Sequence, residues 1–138
     1  MKGIVVDASV TLAWCFPDEG SKYAEQVLAT VEEQPIIVPA LWLWEVANGV
    51  LVGERRKRLR QPEIRRFIEL LRDLPITPDD QNGIANMANM LSLGKEYAMS
   101  AYDAAYLDVA LRHSLPLATL NEDLLKAGEK AGVEIFRA

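Results

Sequence analysis

The sequence predicts an α/β protein, and three observations carry that expectation. Short runs rich in β-branched residues recur, as in Ile4-Val5-Val6 and Ile36-Ile37-Val38. Between them lie longer segments whose apolar residues repeat every three to four positions. The chain is 138 residues long and 50% apolar, enough for one hydrophobic core and short for two, so a single domain over residues 1–138 is expected. Strands alternating with helices imply a mainly parallel sheet covered on both faces.

In order, a first strand at residues 3–6 closes on Asp7, and the pattern of Ala8-Ser9-Val10-Thr11-Leu12-Ala13-Trp14 is helical. Pro17-Asp18-Glu19-Gly20 reads as a turn into a helix at 22–31, whose Ala24, Val27, Leu28 and Val31 form one apolar face before Pro35 ends it. The second strand, 36–38, precedes a helix from Leu41 to about residue 52. Pro62 suits a first helical turn, with Ile64, Phe67, Ile68 and Leu71 at helical spacing after it. A short strand is expected at 74–77. A helix over 78–93 follows, with Ile84, Met87, Met90 and Leu91 inward and Asn82, Asn86 and Asn89 solvated. The last elements are a helix at 102–113, a strand at 115–119, a helix at 122–131 stopped by Gly132, and a strand at 133–136.

Composition narrows the function. A single cysteine, Cys15, cannot form an internal disulfide, and its apolar surroundings make it core rather than nucleophile. The longest apolar stretch, residues 36–44, contains Pro39 and stops at Glu45, short of the roughly 20 residues of a membrane span. No basic-then-apolar leader precedes the first strand, so a soluble cytoplasmic protein without a membrane partner is expected. The net charge is −5, yet residues 54–66 carry seven basic side chains against Glu54 and Glu63, leaving +5 there and −10 elsewhere. That stretch, with Arg55, Arg56 and Arg58, reads either as a solvated helical connection or as a stripe that holds a phosphate backbone.

The acids carry the chemistry. Asp7 lies at the carboxyl end of a strand, the edge where open α/β sheets build ligand crevices. Glu45, Asp103 and Asp123 fall at strand ends or early helical turns in the same reading. Each has a structural alternative. Asp7 could cap the helix that starts at Ala8, Asp103 belongs to the capping-box-like Ser100-Ala101-Tyr102-Asp103, and Asn121 is a good N-cap with Glu122 and Asp123 in the first turn. Glu45 sits among apolar neighbours where an unpaired carboxylate is costly, and Asn48, one turn on, is placed to hold its oxygen. The lone His113 ends a helix, which suits the dipole. No phosphate-binding glycine loop is present. Oxygen ligands remain, and they suit Mg²⁺ or Mn²⁺ and metal-assisted phosphodiester hydrolysis.

Four segments resemble one family, the PIN-domain ribonucleases, and within it the VapC-type toxins of toxin–antitoxin pairs. They are Val5-Val6-Asp7-Ala8-Ser9, then Pro39-Ala40-Leu41-Trp42 leading to Glu45-Val46-Ala47-Asn48, then Tyr102-Asp103-Ala104-Ala105-Tyr106-Leu107, and Leu115-Pro116-Leu117-Ala118-Thr119-Leu120. The resemblance covers nearly the whole chain. It implies a three-layer α/β/α fold and a Mg²⁺-dependent endoribonuclease that works through a metal-activated water. It also implies inhibition by a cognate antitoxin, and a homodimer. Asp7, Glu45 and Asp103 match the family's first three acids and are the expected metal ligands. Ser9 or Thr119 would contact a phosphate or an acid. The fourth acid of the pattern is Asn121 here, and Asp123, two residues on, points about 200° away in an ideal helix. The second metal position is therefore open.

Two other classes remain at this stage. One is a degenerate PIN domain that only binds RNA or an antitoxin, for which Asn121 speaks. The other is a Mg²⁺-dependent phosphotransfer protein, which usually needs an acid where this chain has Ser9, or a phosphoacceptor on a middle strand. Trp42, Leu43 and Trp44 read either as core or as a dimer or antitoxin surface.

Overall fold

A computed structural model describes residues 3–16, 18, 21–81 and 83–137. Four short strands, β1 (Ile4–Val6), β2 (Ile36–Val38), β3 (Ile76–Pro78) and β4 (Leu117–Ala118), form one parallel sheet in the order β3-β2-β1-β4. Between them run α1 (Ala8–Ala13), α2 (Lys22–Val31), α3 (Leu41–Arg55), α4 (Gln61–Asp73), α5 (Met87–Tyr97), α6 (Ala101–His113) and α7 (Glu122–Lys130). Ile4 pairs with Ile36, and Val5 with Ile37 on one side and Leu117 on the other. The parallel α/β fold expected from the alternation of strands and helices is therefore present.

β1 is continuous Ile-Val-Val because both its faces are covered, and all three residues are buried. Each such side chain contributes about 1.5–3 kcal/mol of hydrophobic stabilisation. α6 packs against β1, β2 and β4, with α5 and α7 beside it, while α1 packs on α2 and α3. Ala104, Ala105 and Ala110 let α6 lie close to its neighbours while Leu107 and Val109 fill the core.

The approach of α1 to α3 depends on two glycines one turn apart. A Cβ at Gly49 would lie 2.6 Å from Leu12 Cδ1, and one at Gly53 would lie 2.6 Å from Phe16 Cε1. Leu12 faces Gly49 and Phe16 faces Gly53, so the two segments run in the same direction away from the carboxyl edge of the sheet. Trp42 Nε1 donates to Thr11 Oγ1 at 3.0 Å, and Thr11 Oγ1 donates to the Asp7 carbonyl at 3.0 Å. The beginning of α3 is thereby tied to the beginning of α1.

Several expectations need correction. β3 lies one to two residues later than predicted and ends on Pro78, which an edge strand tolerates because its outer N–H groups need no partner. The helix expected over 78–93 begins only at Met87, after a 3₁₀ turn at Ile84–Asn86, and runs to Tyr97. Its Ile84, Met87 and Leu91 face outward, at 82%, 47% and 53% exposure, and Met90 is half-buried. The reason is Asn86, whose amide donates to buried Asp108 on α6 at 2.9 Å and turns the opposite face to solvent. Asn86 is thus anchored rather than solvated, Asn89 is exposed, and Asn82 lies outside the described residues. Leu93, Tyr97 and Met99 pack against the core instead. Ile68 of α4 is also exposed, whereas Ile64, Phe67 and Leu71 pack inward.

The strand expected at 115–119 shrinks to two residues, and that at 133–136 to a single parallel bridge from Ile135 to Leu117. Gly132, at φ +82°, ends the preceding helix as expected. Cys15 is buried, and burial pushes its thiol up to about 11, consistent with a core residue. Of the turn predicted at 17–20 only Asp18 lies within the described residues. No helix among the described residues is long and apolar enough to cross a membrane.

Candidate active site

Asp7 leaves β1 at the carboxyl edge and caps α1. Its Oδ1 accepts from Val10 N at 3.1 Å and from Ser9 Oγ at 2.6 Å, and its Oδ2 accepts from Thr119 Oγ1. Cap and site are the same residue. Thr119 comes from the end of β4, next to β1, and its hydroxyl oxygen accepts from Asn121 N at 2.9 Å. Ser9 Oγ accepts from Leu120 N at 3.0 Å. These two hydroxyls, expected on a phosphate or an acid, hold the Asp7 carboxylate. Burial raises the Asp7 carboxyl above its ordinary range; its hydrogen bonds oppose this and the charge of Asp103 adds to it.

Glu45 projects from the first half of α3 beside Trp42, which is buried. Its partner is Tyr106 on α6, whose hydroxyl donates to Oε1 at 2.6 Å, and not Asn48, which is exposed. Tyr106 is 2% exposed, and burial followed by the neighbouring carboxylates pushes its phenol far above the ordinary value, so it remains a donor. Burial also raises the Glu45 carboxyl, with Asp7 and Asp103 adding to the rise and Tyr106 opposing it.

Asp103 stands in the first turn of α6. Ser100 caps this helix, accepting from Asp103 N at 3.1 Å, so the predicted cap uses the backbone of Asp103 and leaves its carboxylate for other contacts. Burial, then the charge of Asp123, raises that carboxyl; a hydrogen bond from the Asn121 side chain opposes them. Asn121 Oδ1 caps α7, accepting from Asp123 N at 3.0 Å and Leu124 N at 3.3 Å. Asn121, where the resemblance leads one to expect an acid, is thus an amide engaged with the start of α7 and with Asp103. Asp123 is exposed and lines, with Asp103, an open cleft of about 550 Å³. An ideal-helix projection turns it away from Asn121, yet its charge reaches Asp103, because α7 starts at that carboxylate.

The fold therefore sets Asp103 close enough for its charge to raise the carboxyls of Asp7 and Glu45, and brings Asn121 and Asp123 to Asp103. Among the described residues no Lys, Arg or His is hydrogen-bonded to any of the three. The donor set is all oxygen and its negative charge is uncompensated, which fits a hard divalent cation. The side chains as placed do not group three His, Cys, Asp or Glu residues around one point, again among the described residues.

The basic stretch lies elsewhere. Arg55 ends α3, ten residues or about 15 Å along the helix from Glu45. Arg58 stacks 4.4 Å over the Phe16 ring and pairs with Asp18 at 3.2 Å. Arg55 and Arg56 are exposed. His113 contacts neither the acids nor only its own helix end: its Nε2 lies 2.7 Å from Asp79 Oδ1, a buried carboxylate that also takes two bonds from Arg112. Sequence reasoning missed Tyr106 as a partner of Glu45. It also missed this Asp79–Arg112–Asp108 cluster, whose one local sign is the i,i+4 spacing of Asp108 and Arg112.

Comparison with known proteins bears on the whole arrangement. Ribonuclease VapC3 of Pyrobaculum aerophilum is 29% identical over 121 residues, 88% of this chain and 91% of that protein. The crystal structure of PAE2754 from Pyrobaculum aerophilum superposes with a TM-score of 0.67 at 21% identity, covering 91% of this chain and 85% of the other. FitAcB from Neisseria gonorrhoeae superposes at 0.65 and 22%, covering 97% and 96%. Residues 4–130, which include every acid of the site, match the PIN domain. The chain belongs to the PIN-domain family.

Proposed function

We propose that this chain is a Mg²⁺- or Mn²⁺-dependent endoribonuclease, the toxin of a toxin–antitoxin pair, acting in the cytoplasm as a single-domain protomer of a homodimer. What supports the reading is that Asp7, at the end of β1, is held by Ser9 and Thr119, that Glu45 is held by Tyr106 of the helix that carries Asp103, and that the charge of Asp103 adds to the raised carboxyls of both. The similarity to Ribonuclease VapC3 supports RNA as the substrate.

Asp7, Glu45 and Asp103 are the residues that would hold the metal, with Asn121 and Asp123 flanking a second position. The ion supplies activation of water and neutralisation of phosphate charge. Ser9, Thr119 and the Val10 N–H fix the Asp7 carboxylate in one orientation. Tyr106 engages Glu45 Oε1, and among the described residues Oε2 has no hydrogen-bond partner of its own, so this carboxylate would orient the attacking water and accept its proton; the raised carboxyl suits that role. Asn121 steadies Asp103 without adding charge. Arg55 and Arg56, with Arg58 already engaged by Asp18, would meet only the outlying part of an RNA.

The test is incubation of the pure protein with single-stranded and structured RNAs in Mg²⁺, Mn²⁺ or chelator. Cleavage should require the metal and fall by orders of magnitude in Asp7→Asn, Glu45→Gln and Asp103→Asn, with the circular dichroism of each variant unchanged. Wild-type rates in all three variants would remove these residues from the mechanism. Metal binding by the wild type without any RNA cleavage would favour the second reading, a non-catalytic RNA or antitoxin binder, for which the amide at position 121 is the supporting observation.

A further inference from the structure

Beyond the reach of a metal ion, a polyanion seated near Asp103 and Asp123 gains from positive side chains beside them, and the arginine-rich stretch is a helix length away from Glu45. The nearer cations are on α7. Asp123, Lys126 and Lys130 follow one another at i, i+3 and i+7, one face of the helix, and all three line the cleft of about 550 Å³ that opens beside Asp103. The α5–α6 turn lines the cleft with half-buried Tyr97 and Met99, with the exposed carboxylate of Glu96 beside them, and Ala98 there adopts a left-handed conformation at φ 52°. Lys126 and Lys130 are exposed, and among the described residues neither takes part in a salt bridge. Arg58, Arg112 and Arg137, by contrast, are committed to Asp18, to Asp79 and Asp108, and to Glu129. Two ammonium groups outside any salt bridge among the described residues thus line the cleft that Asp103, Asp123 and Glu96 also line, roughly 6 Å apart along the helix axis. That rise is comparable to the step between successive phosphates of a single strand.

We propose that this cleft is the substrate track next to the scissile bond: Lys126 and Lys130 bind consecutive phosphates of single-stranded RNA, and Tyr97 and Met99 supply the apolar wall against which a base lies. The proposal rests on the ribonuclease reading for the identity of the strand. The cleft is of a size that holds small ligands, and Asp103 is one of its lining residues, so a strand seated on the lysines lies next to that carboxylate. Lysines act here as point charges on phosphate, carrying no base preference.

The experiment measures anisotropy of a fluorescein-labelled, mixed-sequence single-stranded RNA with the full chain, in chelator so that no cleavage intervenes, across a salt series. The double variant Lys126→Ala/Lys130→Ala should bind more weakly, with the salt slope reduced by about 1.4, or about 0.7 for each lost contact. Lys126→Arg/Lys130→Arg should keep the wild-type slope. With Mg²⁺ present, the alanine pair should raise KM several-fold with kcat nearly kept, since neither lysine touches the acids. An unchanged slope and KM in the alanine pair overturns the track, and so does a loss confined to kcat. If the wild type cleaves no RNA, the ribonuclease reading fails, while the binding slope in chelator still decides whether the cleft holds a nucleic-acid strand.

Discussion

Replacing Tyr106 by Phe removes one oxygen from the site and leaves the ring, which is 2% exposed, to fill the same space. What is lost is the 2.6 Å bond to Glu45 Oε1. Hydrogen bonds to charged groups contribute about 1.5–3 kcal/mol, and because Glu45 is only half-buried, water replaces part of the loss. The expected cost is therefore at the lower end, about 1.5 kcal/mol, or about 5 °C in Tm for a chain of this length. The pH dependence identifies the bond. Burial raises the folded-state Glu45 carboxyl above its unfolded value, so the folded state binds more protons across that window and stability falls as pH rises through it. Tyr106 opposes the rise by favouring the ionised form. Without it the window extends to higher pH: the deficit of Tyr106→Phe against wild type is full where Glu45 is ionised and shrinks as acid protonates it. Urea denaturation at several pH values between about 4.5 and 8 measures this, and a double-mutant cycle with Glu45→Ala isolates the pair. A coupling energy below about 0.3 kcal/mol, or a deficit that stays constant toward acid, would refute the reasoning.

Two further outcomes follow from neighbouring groups. Asn121→Asp keeps the cap of α7 but sets a third charge near Asp103 and Asp123, so metal-free stability should fall; at one fixed concentration Mg²⁺ or Mn²⁺ should then stabilise the variant more than wild type, because its Kd is lower, the gain reaching about 2.7 kcal/mol where the metal is in hundredfold excess over Kd. Melts with and without metal read both effects, and unchanged values in both would show that position 121 does not face the site. For Asp79, burial alone would raise the carboxyl, but hydrogen bonds from Arg112 and His113 and the Arg112 charge outweigh it and hold the group below its ordinary range. Its stabilisation is present above the unfolded value near 3.9 and is lost as pH falls through the folded one. Asp79→Asn should cost about 3 kcal/mol at neutral pH and flatten the acid limb of the stability curve; an acid limb identical to wild type would exclude Asp79 as its source.

Much of the site was legible because it is built from local rules. A β-branched run ending in Asp, a Ser three residues before an Asp, and an Asn before Glu-Asp each specify a helix start through hydrogen bonds spanning two or three residues. The order of strands and helices implied the parallel sheet, and the parallel sheet placed Asp7 and Thr119 at one edge. The side of α5 that faces inward was not legible. Ile84, Met87 and Leu91 have helical spacing, but the single bond from Asn86 to Asp108, 22 residues away, turns that stripe to solvent. Periodicity shows that a helix has an apolar face and is silent on which neighbour claims it.

The same limit separates what the sequence determined from what the tertiary structure decided. From the sequence alone came the strand–helix order, the caps and the all-oxygen set of candidate ligands, since each depends on residue type or on contacts within one turn. The tertiary structure decided that Glu45 answers to Tyr106 across 61 residues, and that Thr119 holds Asp7 across 112. It also decided that the charge of Asp123 reaches Asp103, and that Arg55 ends about 15 Å along α3 from Glu45 while two lysines line the cleft shared by Asp103 and Asp123. Those outcomes follow from which elements pack together, α3 against α1 at Gly49 and Gly53, β4 beside β1, and α7 starting near Asp103, and such packing has no signature in local spacing.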